Sequence, residues 1–341
     1  MNRYLAQGLL SICFCLLGLK ATAQDIHHSQ FYTSPINVNP ALTGVFNGDV
    51  RAALNYRNQW FVNDLVKYMT FTGSVDKRFY PKKWTTKGMF SGGLLMNYDQ
   101  AGDSKLSLAY VGISVSYAYP ITPRNIISAG VLLGGSNRRF LTENLTWDEQ
   151  YNGSQYVPGS PSGETFDKTN HNFFDIATGL NYRWQKSKRT KIDLGAGLFH
   201  LNKPEQKFFD QSASSKLPLR LNINLTPSFQ LTKRLDLLLH GQFQQQSVYN
   251  ETVAGLYGKI YAGTKRGKEL ALLLGLATRF ETDFIPKIAL EYNQWYAGFS
   301  YDVNTSPWKK ATNGRGGPEF SLIYIFTKAR PLAEAKACPI L

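Results

Sequence analysis

The stretch Leu219–Gln230 constrains the fold more than any other part of the chain. Its odd positions are Leu219, Leu221, Ile223, Leu225, Pro227 and Phe229, and its even positions are Arg220, Asn222, Asn224, Thr226, Ser228 and Gln230. A period of two places alternate side chains on opposite faces, so this is a strand with one apolar and one polar face. A tilted strand of about 9–11 residues crosses a bilayer. The same alternation sets Val50, Ala52, Leu54 and Tyr56 against Arg51, Asn55 and Arg57. It sets Phe174, Ile176, Leu180, Tyr182 and Trp184 against Asp175, Asn181 and Arg183, and Trp295, Ala297, Phe299, Tyr301 and Val303 against Gln294, Ser300 and Asp302. A soluble sandwich also alternates, but its strands average about five or six residues. These segments are nearly twice that long.

About fourteen such segments are expected, within the range of single-chain barrels. They fall at residues 49–59, 67–79, 88–98, 105–119, 125–139, 172–184, 190–200, 219–230, 235–246, 252–262, 270–280, 286–293, 294–303 and 318–327. Connections sort by parity. Short ones (120–124, 185–189, 232–234) follow even-numbered segments, and long ones (141–171, 201–218, 304–317) follow odd-numbered segments. The expected fold is all-β: a transmembrane antiparallel β-barrel of about 14 strands with long outer loops and short periplasmic turns.

The start of the chain reads as an export signal. Arg3 provides a positive charge, Leu9–Leu19 an apolar core and Ala21-Thr22-Ala23 a small-residue cleavage site. Cys13 and Cys15 lie inside the apolar core, which argues against a lipoprotein signal. The expected division is residues 1–23 as signal peptide, 24–47 as a periplasmic N-terminal segment that plugs the barrel or docks on a partner, 48–327 as the outer-membrane barrel, and 328–341 as a periplasmic tail. Pro40 and Gly44 suit a turn into the first strand. No later run is apolar for the length of a spanning helix.

The 341 residues carry a net charge of +14, but only 18% are charged and 13% are aromatic. The basic residues are dispersed and no nucleic-acid-binding motif is present, so no nucleic acid is expected as partner. After signal removal Cys338 is the sole cysteine, which excludes an internal disulfide. His27 and His28 point in opposite directions on an extended chain, while His171, His200 and His240 stand alone, so neither a metal nor a cofactor is expected. There is no G-x-S-x-G elbow, which argues against a hydrolase. Arg57, Asp76, Asp99, Asp302 and Glu319 occupy polar strand faces and suit an inward ion-pair network. Asp302 and Glu319, on neighbouring strands, suit a shared cation such as Arg315.

More specific residues flank this pattern. The N-terminal side reads Gln30-Phe31-Tyr32, Pro35, Asn39-Pro40-Ala41, Thr43-Gly44, then Asn55-Tyr56-Arg57-Asn58-Gln59-Trp60 and Ser74-Val75-Asp76. The C-terminal side reads Gly298-Phe299-Ser300-Tyr301-Asp302-Val303-Asn304, then Arg315-Gly316-Gly317-Pro318-Glu319-Phe320-Ser321-Leu322, and Cys338-Pro339. Asp99–Gly102 and Gly197–Pro204 add weaker matches. In these motifs the chain resembles the PorP/SprF family of Bacteroidetes outer-membrane proteins, part of the type IX secretion and gliding machinery. The resemblance implies a non-enzymatic barrel assisting secretion or surface anchoring of cargo. Its implied partners are outer-membrane lipid, secreted cargo proteins and periplasmic components of the machinery. The closing Pro339-Ile340-Leu341 departs from the Arg and aromatic expected there. The alternative is an outer-membrane porin or apolar-solute transporter.

Overall fold

The computed structural model describes residues 25–59, 68–79, 88–143, 145–157, 159–164, 166, 168–206, 215–263, 267–307 and 309–327. Strands β1 (Val50–Gln59), β2 (Tyr68–Phe79), β3 (Met89–Ala101), β4 (Leu106–Thr122), β5 (Asn125–Arg139), β6 (Asn170–Gln185) and β7 (Lys191–Phe199) follow one another. A two-stranded hairpin, β8 (Glu205–Gln206) and β9 (Ser215–Lys216), sits in the next connection. Then come β10 (Arg220–Gln230), β11 (Leu235–Gln246), β12 (Tyr249–Gly263), β13 (Leu270–Arg279), β14 (Asp283–Tyr292), β15 (Trp295–Asn304) and β16 (Arg315–Phe326). Apart from β8 and β9, these form one closed antiparallel barrel of 14 strands. β1 and β16 close it in a register running from Val50↔Phe326 to Arg57↔Glu319.

Each expected segment corresponds to one barrel strand. Several start earlier than the alternation suggests. β12 begins at Tyr249 because it pairs with Gln246 across a tight turn, and β16 at Arg315 because it pairs with Val303. The long connections, 140–169, 200–219 and 305–314, share one end of the barrel. The opposite end carries 123–124, 186–190, 231–234 and 293–294. Parity is therefore a bias and not a rule: 102–105, 247–248 and 280–282 are tight turns at the long-loop end, and 80–88 is a longer link at the short-turn end.

The wall is inverted relative to a soluble protein. Phe90, Ile113, Leu180 and Leu276 are more than half exposed on its outside, whereas Ser114, Asn222 and Asn224 are buried inside. Only hydrocarbon makes such an exterior favourable, and closure leaves no unpaired strand edge in it. Aromatic pairs stud this outer face: Phe90 with Tyr117 at 4.7 Å, and Trp295 with Tyr324 at 4.5 Å.

Residues 25–47 run through the interior. Their first residues lie level with the long-loop ends of the strands, and the segment leaves at the short-turn end, where β1 begins. The segment folds into three short turns: 3-10 at Phe31–Thr33, α-helical at Pro35–Val38 and 3-10 at Pro40–Leu42. Pro35 and Pro40 each start a turn, where the missing N–H costs nothing. The Asn39 side chain accepts from Ala41 N and caps the last of them. Ile36 packs with Leu95, Tyr110, Leu132, Ala177 and Phe199, while Phe31 and Val38 pack on Val253. Two wall glycines make room. A Cβ on Gly130 would collide with the Pro40 carbonyl, and one on Gly179 with the Asn39 amide.

Candidate functional site

At the long-loop half of the interior, charges from six strands converge around the segment. Inward parity on β1 aims Arg57 at Asp302 of β15 (2.6 Å) and Glu319 of β16 (3.8 Å). Glu319 accepts from the backbone N–H groups of Ser29 (2.7 Å) and Gln30 (2.8 Å). Asp302 accepts from Ser29 Oγ at 2.8 Å. Arg279 of β13 donates to Ser29 Oγ at 2.9 Å and lies 3.1 Å from Glu251 and 2.7 Å from Asp283. Gln30 donates to Ser300 Oγ and to the Glu319 carbonyl, both at 3.0 Å, and accepts from Ser321 Oγ. The carboxylates thus fix the segment's backbone and neutralise two buried guanidinium groups at once. Losing either partner of such a pair is far costlier than never having built it.

This geometry divides the expected five-residue network. Arg57, Asp302 and Glu319 meet. Asp76 instead pairs with Arg51 at 2.7 Å near the short-turn end, where it also accepts from Gly44 N. Asp99 accepts from Thr70 Oγ1 at 2.6 Å. The cation shared by Asp302 and Glu319 is not Arg315. A register shift between Asp302 and Val303 turns Arg315 outward, where it is exposed; Arg57 is shared by the two carboxylates, and Arg279 joins Asp302 alone.

A second charged cluster holds the first described residue. His200, just past β7, lies 2.8 Å from Asp25 and 3.0 Å from Asp175. Arg220 of β10 adds 3.1 Å to Asp25 and stacks on Phe199. Burial alone would discharge the imidazole, but Asp25 and Asp175 outweigh it and push its pKa up to about 9. Burial opposes the Asp25 charge too. Arg220 and His200 prevail and hold that carboxyl well below its usual range.

Towards the short-turn end neutral contacts join the charged ones. Asn37 and Asn97 exchange amide hydrogen bonds at 2.9 and 2.8 Å. Asn39 donates to the Leu180 carbonyl, Ser128 to that of Ala41, Ser116 to that of Thr43 and Arg183 to that of Val45. Tyr32 lies against His240, ring centres 3.8 Å apart, with the Lys287 ammonium 3.9 Å from its own ring. The wall thus supplies the backbone partners that water gives an exposed loop.

The other singled-out residues separate by face. Phe31, Pro35, Asn39 and Pro40 are buried in the interior. Tyr56 is exposed on the outer face. Gly316 is buried against the Asp302 backbone, where a Cβ has no room, and the Asn58 carbonyl packs equally close to Gly317. Tyr301 is half-buried on β15. Trp60, Cys338, residues 1–23 and the tail 328–341 lie outside the described residues. Among the described residues no three His, Cys, Asp or Glu groups gather as metal ligands. His28 bonds Thr72 while His27 faces Glu251. Sequence reasoning missed Asp25, His200, Arg220, Arg279 and Glu251 as a set. Strand parity signals the inward direction of Arg220, but nothing local links His200 to Asp25.

The comparisons agree with this architecture. No curated protein matches the chain. Among solved structures, a FadL homologue from Pseudomonas aeruginosa superposes with a TM-score of 0.50 at 11% identity, covering 84% of this chain and 93% of that one. The toluene transporter TodX from Pseudomonas putida gives 0.50 at 10% identity, covering 89% and 94%. At such identities the likeness is one of fold: an outer-membrane barrel. Residues 20–324, nearly the whole chain, match the family described as type IX secretion system membrane protein PorP/SprF. An outer-membrane barrel with this match belongs to the PorP/SprF family of type IX secretion membrane proteins.

Proposed function

We propose that this barrel assists the secretion or surface anchoring of particular cargo proteins in the type IX machinery, and that residues 25–47 act as its plug. In this reading the short-turn end faces the periplasm and its machinery, and the long loops face outward towards cargo. The observation that carries the reading is a lumen occupied by the chain's own segment, clamped at Ser29 and Gln30 by Glu319 and at Asp25 by His200. A free-running channel has no use for so many interior contacts. Family membership supplies the secretion context. The family is not one of enzymes, and no catalytic role is assigned.

The test is a clean gene deletion followed by comparison of outer-surface and culture-medium proteomes. Selective loss of one or a few large surface proteins is the expected result. An unchanged set, with altered uptake of apolar solutes, overturns it in favour of a transporter. The fold shared with TodX and the FadL homologue favours that second reading. The ionic lining around Arg57 and Arg279 fits an apolar solute poorly.

A further inference from the structure

The interior segment does not fill the barrel evenly. At the short-turn end two adjoining cavities of about 390 Å³ and 320 Å³ share a lining of Tyr32, Leu238, His240 and Glu291. Phe31, Tyr32 and Val38 of the segment floor the larger one. The space is a vestibule that the segment closes from the long-loop side.

Its charges do not balance. Asp193 is taken by Arg183 at 2.7 Å, Asp236 by Arg189 at 2.6 Å, and Glu291 by Lys259. That uses every carboxylate on the larger cavity's lining. Lys188, on the rim turn, and Lys191, at the start of β7, line the same cavity with no ion pair among the described residues. Deeper in, the Asn224 side chain is 1% exposed, and its Oδ1 accepts no hydrogen bond. His240 Nδ1 is likewise buried without a partner. Leu238, Ile323 and Ile325 add an apolar side.

We propose that this vestibule is a docking site for an extended acidic segment of a partner protein, entering from the short-turn mouth. The excess cations at the rim complement carboxylates. The unmet Asn224 acceptor calls for a hydrogen-bond donor, which the N–H groups of a peptide backbone offer along their whole length. The mixed apolar and polar lining suits alternating side chains of an extended chain. Lipid has no path to a surface inside the wall. The periplasmic origin of the partner rests on the orientation proposed above, but the docking itself does not. The proteome comparison tests secretion and the binding experiment tests the site, so the two can fail separately.

The experiment uses the full chain purified in detergent and a short fluorescein-labelled peptide alternating Glu and Val, read by anisotropy at low ionic strength. A Lys–Val counterpart and inorganic phosphate serve as competitors. The acidic peptide is expected to bind, and to weaken with added salt. The double variant Lys188→Glu/Lys191→Glu should bind about tenfold more weakly, as reversing one exposed and one half-buried charge implies. Lys309→Glu/Lys310→Glu at the long-loop end should bind as the unaltered chain does. Asn224→Val should weaken the peptide further, and heat-modifiable gel migration reports that each variant is still a folded barrel. Absence of binding, equal binding by the Lys188/Lys191 variant, or full displacement by phosphate overturns the proposal; the last result marks a small-anion site.

Discussion

At the long-loop end the interior segment is clamped by one connected cluster of charges, and at the short-turn end by separate hydrogen bonds, neutral and charged, around a cavity. Arg57, Arg279, Asp302 and Glu319 surround Ser29 and Gln30 without leaving space. Asn37, Asn39, Ala41 and Thr43 are held by amides, hydroxyls and carbonyls, beside a vestibule. The wall strands are the same ones at both levels. What changes is how the buried charges connect: at the long-loop end they tie β1, β13, β15 and β16 to one backbone stretch. In the proposed plug, the long-loop half is the seal and the short-turn half is the accessible half.

The comparison breaks most completely if the segment is removed. Deleting residues 26–46 should convert a closed barrel into one giving stable conductance steps in planar bilayers. An unchanged, silent bilayer would show that the long loops close the lumen instead. Next in size is Glu319→Ala, which leaves the buried Arg57 guanidinium short of a carboxylate and two backbone N–H groups unmet. About 3–5 kcal/mol of stability should be lost, visible as a lower unfolding temperature in detergent. A cost below about 1 kcal/mol would mean that the seal does not depend on charge. Gly179→Leu tests the short-turn half, because its side chain needs the space of the Asn39 amide. It should cost about 1–3 kcal/mol and raise protease cleavage near Asn39 while Ser29 stays protected. Cleavage spread over the whole segment would show the two halves to be one unit.

The smallest effect is one of pH. His200 has a folded pKa raised to about 9 from 6.5, so its contribution is complete below about pH 6.5 and is lost as pH rises through 9. Asp25, whose pKa is lowered, acts in the opposite sense and loses its contribution only in acid. Protease access to residues near Asp25 should therefore increase above pH 9, and His200→Gln should remove that alkaline step. A step that persists in the variant would assign it to another group.

The barrel was legible in the sequence because period-two alternation is local and survives over ten residues, as in β10. The ion cluster was legible by half. Parity shows that Arg57, Asp302 and Glu319 face inward, but which inward charges meet depends on closure of the barrel. Asp76 and Asp99 share that parity and find other partners. The interior path of residues 25–47 was not legible. His28, Gln30 and Asn39 follow no period, and their partners lie far along the chain, with Ser29 meeting Glu319 across 290 positions.

If the chain is cleaved after Ala23, the segment is tethered at one rim only. Asn47 leads into β1 at the short-turn mouth, while Asp25 sits at the opposite level. A pull from the short-turn side draws the whole length out and empties the bore. A pull from the other side stops at the tether, leaving about nine or ten residues of extended chain across the roughly 30 Å of hydrocarbon thickness. So cleaved, the barrel is mechanically one-sided, and force applied from the short-turn side is what clears a passage.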